Sequence, residues 1–120
     1  MKNREQIRAR NALIGSHEPI PGPEGGEVVK KIPTLIMNHG LLAVNALAFE
    51  KNNEGIKKVM ILIAVHLADK NIRLLPKEYT KDEEGLMKYL TDAEAPKLKL
   101  VTAEAMAWLN YARRFFKKDK

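Results

Sequence analysis

The sequence predicts an all-α protein, in which a single compact domain spanning residues 1–120 contains about five to six helices packed around central apolar helices. Apolar residues recur at helical spacing in several segments, and residues that cap helices precede those segments. No stretch alternates apolar and polar residues in the way a half-buried strand does. A chain of 120 residues also has the usual length of one domain.

The composition is that of a basic protein without cysteine. The formal net charge is +6, and the sequence pI is about 9.6. Such a balance indicates an acidic partner, most often a nucleic acid, although excess positive charge also occurs in proteins that bind nothing anionic. The absence of cysteine excludes disulfides and thiolate metal sites. No apolar run is long enough to span a bilayer, and residues 1–10 lack the apolar core of a signal peptide, so we expect a cytoplasmic protein without membrane contact.

The first helix is predicted between Asn3 and Gly15. Asn3 can accept from the backbone N–H of Gln6 while the Gln6 side chain reaches back, as in a capping box. Gly15 is a natural end for a helix, and the proline- and glycine-rich residues 16–26 predict a loop. No Gly-Lys-Ser/Thr triplet follows these glycines, which excludes a phosphate-binding loop of the nucleotide-hydrolase type.

The most distinctive stretch is residues 31–49, KIPTLIMNHGLLAVNALAF, which is apolar at most positions. A helix is expected from Glu27 until Pro33 kinks or restarts it. Gly40 predicts a tight corner, and a further helix is expected over residues 41–51. A DNA-reading helix-turn-helix is an alternative for this pair. Its second helix would need polar side chains facing a groove, however, and this one offers mainly Leu, Ala, Val and Phe.

The next helix, which ends near Leu67, is apolar almost all round and is predicted to be central. His66 lies within it and is interpreted as a buried histidine with one hydrogen-bond partner, with a functional role as the alternative. Thr80 and Glu83 predict a capping box for a fifth, shorter helix. The paired acids in the first turn of this fifth helix are interpreted as charges that complement the helix dipole. We favour this interpretation over a pair of catalytic carboxylates.

The last helix is expected to follow a connector over residues 91–101, with Thr102 as its N-cap. At about 100° per residue, Leu109 and Phe116 share one face of this helix. Cations occupy the opposite face, where they are either solvated charges that complement the helix dipole or a binding site for an anion. These cations are Arg113, Arg114, Lys117 and Lys118.

The chemistry of an enzyme is missing from the sequence pattern. Ser16 is the one serine, and the three histidines are not spaced with acids as metal ligands are. No glycine-rich phosphate motif follows a strand. We therefore expect no catalytic residue, no metal site and no cofactor, which leaves an enzyme as the least favoured interpretation of the function.

Two segments resemble one protein family. Residues 31–49 resemble the Lys-x-Pro, Asn-Gly-Leu and Ala-Phe signature of the small subunit of type III-B (Cmr-type) CRISPR effector complexes. Residues 102–116, TAEAMAWLNYARRFF, resemble the C-terminal Thr-x-Glu-Ala, Leu and Arg-Phe pattern of the same family. Both segments occur in the order that the family has, and their joint occurrence carries the resemblance.

The resemblance implies a non-catalytic, all-α subunit of an RNA-guided effector complex in antiviral defence. In such complexes several copies are expected to stack beside the backbone subunits that hold the guide RNA, and to line the channel where target RNA pairs with the guide. The implied partners are the backbone and other subunits, neighbouring copies of the chain itself, and guide-paired target RNA. The basic balance suits this function, since a phosphate track requires charge more than base-reading groups.

The family offers no residue motif for RNA contact, so the predicted contacts follow from the clustering of charge alone. They comprise the C-terminal cations and two arginines of the first helix: Arg4, Arg8, Arg113, Arg114, Lys117 and Lys118. The alternative function is a helical protein–protein adaptor without direct RNA contact.

Overall fold

The computed structural model describes residues 2–117, and its helices confirm the predicted all-α class. No strand occurs in that range. In chain order the elements are α1 (Arg4–Gly15), a 3-10 helix (Gly25–Lys30), α2 (Ile32–His39), α3 (Leu41–Leu47), α4 (Glu54–Leu67), a second 3-10 helix (Lys77–Thr80), α5 (Gly85–Asp92) and α6 (Ala95–Phe115).

The centre of the fold is formed by α4 and α6, which pack against each other and against most of the remaining elements. Helix α1 packs along α6, α2 and α3 form a pair, and α3 and α5 both pack on α4. Helix α4 is central because most of its side chains are apolar and buried, as predicted. The described residues form one globule with a radius of gyration of 13.2 Å and extents of 36 × 35 × 27 Å.

Two predicted helix boundaries are confirmed in detail. At the start of α1, Asn3 Oδ1 accepts from the Gln6 N–H and Gln6 Oε1 accepts from the Asn3 N–H, both at 2.9 Å. Gly40 forms the corner between α2 and α3 with φ 87° and ψ 157°, a conformation that favours glycine. Its N–H donates to Ile36 O at 2.7 Å and its carbonyl accepts from the Val44 N–H at 3.2 Å. One residue therefore ends one helix and begins the next.

A new helix begins next to Pro33, and this proline does not kink a continuous helix. Residues Gly25–Lys30 form a 3-10 helix, and α2 then begins at Ile32 with Pro33 in its first turn. Proline is tolerated there because first-turn N–H groups have no partner within the helix. The third helix is shorter than predicted and ends at Leu47. Asn53 Nδ2 donates to Leu47 O at 2.9 Å and so stabilises a turn where the helix was expected to continue.

The capping box predicted for the fifth helix is not formed. Thr80 ends the second 3-10 helix, and its Oγ1 donates to Lys77 O at 2.7 Å. Helix α5 begins at Gly85, after Glu84, whose backbone N–H donates to Asp82 Oδ1 at 2.9 Å. The turn around Asp82 therefore replaces the predicted cap, because a short acidic side chain competes well for nearby backbone N–H groups.

The last helix is longer than predicted. Helix α6 has 21 residues and begins at Ala95, so that most of the predicted connector over residues 91–101 is helical. Pro96 lies in the first turn of α6, where proline is favoured, and it does not interrupt the helix. Thr102 is an interior residue and not the N-cap.

A close backbone contact ties the end of α6 to the region before α2. The Gly26 N–H donates to Lys117 O at 3.1 Å. A Cβ atom at position 26 would lie 2.3 Å from that oxygen, so only glycine permits the approach. The contact determines the direction in which the chain leaves α6, next to the basic residues at its end.

A substitution at Ile63, which is fully buried in the middle of α4, tests the central place of this helix. We expect Ile63→Asp to lower the free energy of unfolding by several kcal/mol, because a buried, unpaired carboxylate costs about that much. Val65 gives a matched control on the same helix, since it is 55% exposed although the sequence predicts burial on this side too. Val65→Asp should melt within a few degrees of the wild type by circular dichroism. Equal melting temperatures for the two variants would contradict the central placement.

Candidate nucleic-acid interface

Of the cations predicted at the C-terminal end of the last helix, Arg113 and Arg114 lie on the exposed side of α6, and Lys117 follows two residues after its end at Phe115. Arg113, Arg114 and Lys117 are exposed, whereas Leu109 is fully buried in the core. The predicted division of this helix into an apolar and a basic face is therefore confirmed. The fourth predicted cation, Lys118, lies outside the described residues.

These exposed cations are not neutralised by the carboxylates of residues 2–117. Arg114 Nη1 donates to the backbone carbonyl of Asn110, one turn earlier in α6, at 2.9 Å. Arg113, Arg114 and Lys117 make no ion pair within the described range. Cations in a last turn complement the negative end of the helix dipole. Helix α6 therefore ends in positive charge that is available to an anion.

The two predicted arginines of α1 are bound to Glu104 of α6. Arg8 Nε and Nη2 donate to the two carboxylate oxygens of Glu104 at 2.8 Å each, and Arg4 Nη1 donates to it at 3.2 Å. Arg8 Nη1 also donates to Glu5 at 2.6 Å. The side chain of Arg8 is 17% exposed and that of Arg4 is 51% exposed. The charge of Arg8 is thus largely compensated by carboxylates of the protein, whereas about half of the Arg4 side chain remains exposed to solvent.

A histidine of α4 completes the surroundings of Glu104. His66 Nε2 lies 2.9 Å from Glu104 Oε2. On the other side of the ring, Asn11 Nδ2 lies 2.9 Å from His66 Nδ1 and 3.0 Å from Asp69 Oδ2. An ionised carboxylate only accepts, so the amide nitrogen of Asn11 donates to Asp69, and its second hydrogen points to Nδ1. His66 is therefore neutral, with the proton on Nε2 donated to Glu104.

The same contacts shift the pKa values of the two buried groups. Burial lowers the pKa of His66 below its ordinary value of 6.5, and this effect outweighs the hydrogen bond and charge of Glu104, which raise it. Burial alone would raise the pKa of Glu104, but hydrogen bonds from Arg8 and His66 outweigh it and lower that pKa to about 2. Glu104 is thus ionised and His66 is neutral at neutral pH. Both groups belong to a buried network, which comprises Arg8, Asn11, His66, Asp69 and Glu104.

A short chain of contacts connects the buried network to the basic end of α6. Glu5 accepts hydrogen bonds from Arg8 and from the phenol of Tyr111. The bond to Glu5 raises the pKa of Tyr111, while the positive charges of Arg8 and Arg114 lower it. Glu5 thus joins Arg8 of α1 to Tyr111 of α6, two residues before Arg113.

The sequence pattern predicts a single partner for His66 and does not identify Glu104 as a functional residue. A signal is nevertheless present, because Glu104 lies three positions after Val101 and four before Trp108, both of them buried. An acid on the apolar face of a helix requires a buried partner. Nothing in the sequence indicates that this partner is Arg8, 96 residues earlier.

Two further properties of the described residues bear on the site. Within residues 2–117, no three His, Asp or Glu side chains form a group that could hold a metal ion. None of the described helices is long and apolar enough to cross a membrane. The candidate interface thus consists of the exposed cations at and just after the end of α6, the partly exposed Arg4 and the buried network that Arg4 contacts through Glu104.

Comparison with known families matches residues 24–118 to the family described as CRISPR-associated protein (Cas_Cmr5). The chain belongs to this family. The resemblance to the small subunit of Cmr-type (type III-B) CRISPR complexes, carried by residues 31–49 and 102–116, is thereby confirmed. Membership of Cas_Cmr5 makes the chain a subunit of a multisubunit CRISPR effector complex. No curated protein and no solved structure matches the chain.

The Cas_Cmr5 match includes His66 and Glu104 but not the helix that supplies their partners. It begins at residue 24, after α1. Arg8 and Asn11 both belong to α1, and both reach into the matched region. The buried network therefore attaches α1 to the helical core that the Cas_Cmr5 family defines.

Acid is expected to weaken this Cas_Cmr5 protein through the buried network. A carboxyl group with a lowered pKa contributes stability above its unfolded pKa, and for Glu104 this contribution is lost as the pH falls from about 4.5 to about 2. His66 adds a loss that begins below pH 6.5, because the unfolded chain takes up the proton first. We expect Glu104→Gln to be about 3–5 kcal/mol less stable than the wild type at pH 7, as when a buried ion pair loses one partner. The difference should shrink at pH 3.

Urea denaturation at pH 7 and at pH 3 measures both differences. Glu94→Gln is the matched control, because Glu94 is exposed just before α6 and its side chain makes no capping hydrogen bond. The control should unfold like the wild type at both pH values. A stability difference for Glu104→Gln that is the same at pH 7 and pH 3 would contradict the assigned ionisation of Glu104.

Proposed function

We propose that this protein is a non-catalytic small subunit of a type III-B CRISPR RNA-guided effector complex. In the cytoplasm it helps assemble the filament and lines the channel for target RNA during antiviral defence. Its partners are the backbone and other subunits, neighbouring copies of itself and guide-paired target RNA, without contact to a membrane. Membership of Cas_Cmr5 supports the assignment to the complex.

The positive end of α6 is the observation that supports the RNA-facing part of this proposal. Arg113, Arg114 and Lys117 are exposed and unpaired with the carboxylates of the described range. Lys118 follows them in the sequence and adds a fourth positive charge. Such cations gain free energy from counterion release when they meet phosphates, and they need not break an internal ion pair first.

Arg4 and Arg8 contribute to the proposed RNA surface to different extents. Arg4 keeps about half of its side chain in solvent while it contacts Glu104. Arg8 is held by Glu104 and Glu5, so a phosphate would reach only the edge that remains exposed. Of the two, Arg4 is therefore the better phosphate contact, and Arg8 mainly positions α1 against α6.

An adaptor that binds protein only is the second candidate, and exposed apolar side chains favour it. Leu13, Ile14 and Val65 are 48%, 56% and 55% exposed. Ile14 and Val65 line one cavity of about 110 Å³ between α1 and α4. Neighbouring exposed apolar side chains of this kind are typical of surfaces that bind other proteins. In this alternative the cations of α6 face a neighbouring subunit and not RNA.

Removing the four C-terminal cations distinguishes the two functions. In a reconstituted complex, we expect replacement of Arg113, Arg114, Lys117 and Lys118 by Ala to weaken target RNA binding and to flatten its salt dependence. Each lost phosphate contact reduces the slope of log affinity against log salt by about 0.7, so four contacts reduce it by up to about 3. Affinity measured at several salt concentrations, with incorporation of the subunit verified, gives the slope.

A control variant that loses the same number of positive charges shows how much of the effect comes from the lower net charge of the protein alone. Lysines elsewhere on the surface serve this purpose: Lys30, Lys31, Lys51 and Lys58, each replaced by Gln. This control should bind nearly as the wild type does. Unchanged affinity and slope for the C-terminal variant, with full incorporation, would mean that the RNA contacts lie elsewhere. Failed incorporation of a folded C-terminal variant would favour the adaptor.

The proposed subunit is also expected to have no nuclease activity of its own. The purified protein should leave single-stranded RNA and DNA intact with and without Mg²⁺ or Mn²⁺, because the sequence offers no pattern of catalytic or metal-binding residues. A mock purification from cells without the expression plasmid controls for contaminating nuclease. Metal-dependent cleavage that follows the protein through several columns would overturn the non-catalytic assignment.

A further inference from the structure

A second group of cations, separate from the end of α6, lines two adjoining grooves beside the loop that follows α4. One groove, of about 490 Å³, is lined by Arg10, Lys70 and Lys77 among others. The other, of about 340 Å³, is lined by Lys70, Arg73, Lys77 and Lys97 among others. Because Lys70 and Lys77 border both, the two cavities adjoin and together make up the basic groove.

The residues that line the basic groove carry a net positive charge. Five cations line it against one acid, Asp69. Asp69 is already engaged, since it accepts from Asn11 Nδ2 at 3.0 Å and from the Asn71 N–H at 2.7 Å. None of the five cations makes an ion pair with a carboxylate of residues 2–117. Unpaired charges of one sign in a concave wall focus the field and attract anions.

Arg73 is held in the basic groove at a conformational cost. Its φ is 56°, in the left-handed region where glycine or asparagine is usual and other side chains are strained. Its N–H donates to Asp69 O at 2.9 Å, and its Nε donates to Lys70 O at 3.1 Å. Strain of this kind persists most often at functional sites. Glycine would suit the same backbone, so the property that arginine adds here is its guanidinium.

An aromatic ring lies among these cations. Tyr89 of α5 lines the same groove and packs edge-on against Tyr79, with ring centroids 5.2 Å apart. Grooves that follow a single nucleic-acid strand combine cations for the phosphates with aromatic rings on which bases stack. An acidic protein segment would use the cations alone. The combination therefore favours a nucleic-acid strand as the occupant.

We propose that the basic groove binds target RNA where that RNA is single-stranded, with Lys70, Arg73, Lys77 and Lys97 at phosphates and Tyr89 as a stacking surface. The inference rests on the proposed RNA-facing function and assigns it a second, concave surface. The groove residues come from the loop after α4, the second 3-10 helix, α5 and α6. Its geometry therefore depends on the assembled fold, in contrast to the cations at the end of α6.

Arg73→Gly is the most selective test, because it removes the guanidinium and relieves the backbone. The variant should melt within a few degrees of the wild type. In the reconstituted complex it should bind target RNA about five-fold more weakly at 0.1 M salt, which follows from a slope of about 0.7 for one phosphate contact. A target shortened until its Kd is measurable gives the required range. A melting temperature far below the wild type would overturn the assigned strain, and unchanged affinity would overturn the phosphate contact.

A combined variant tests the groove as a whole. Its changes are Lys70→Gln, Arg73→Gly, Lys77→Gln and Lys97→Gln. We expect it to reduce the salt slope by up to about 3. The Gln variant of Lys30, Lys31, Lys51 and Lys58 is the matched control, since it removes the same charge and none of these lysines lines the groove. Cross-linking of 4-thiouridine-labelled RNA, read by mass spectrometry, should modify Tyr89.

The outcomes separate this inference from the proposed function. If the combined variant binds like its matched control while the C-terminal variant loses affinity, the groove is not an RNA site and the RNA-facing function stands. If neither variant weakens RNA binding in fully assembled complexes, the RNA-facing function itself is wrong. A folded groove variant that fails to enter the complex also overturns the inference, because the groove then faces another subunit.

Discussion

Burial of one carboxylate is the constraint on which the rest of this structure depends. Glu104 lies on the apolar face of α6 and is 2% exposed, so it is tolerated only because charged and neutral donors surround it. Arg8 donates to both of its oxygens, and neutral His66 donates to one of them. These donors come from α1 and α4. Satisfying one acid therefore fixes three helices relative to each other, and with them the surface that carries Arg4 and the cations of α6.

Features that depend on neighbours within one helical turn were predictable from the sequence. The capping box at Asn3 and the corner at Gly40 are of this kind, and both are present. The start of α6 was not predictable, because Pro96 is compatible with a connector and with a first helical turn, and only packing decides between them. Thr80 likewise has a capping pattern, but the competing turn at Asp82 takes its place.

The candidate site also has one part that could be predicted from the sequence and another part that could not. The outward direction of Arg113 and Arg114 follows from helix periodicity, because both lie on one helix with the core residues that face away from them. The pairing of Arg8 with Glu104 joins positions 96 residues apart, and the basic groove gathers cations from Arg10 to Lys97. Charges that are distant in the sequence become neighbours only through the fold, so a count of clustered cations along the chain cannot find them.

The long separation between Arg8 and Glu104 has a consequence for the synthesis of the chain. Translation produces Arg8 early and its acid 96 residues later. Helix α1 has 12 residues, a length that is only marginally stable in isolation, and contacts between distant residues form late in folding. While α6 is still being made, Arg4 and Arg8 lack the carboxylate of Glu104, and Glu5 of the same helix is the acid that remains available to Arg8. The docking of α1 against α6 through Glu104 therefore has to wait until residue 104 has been synthesised.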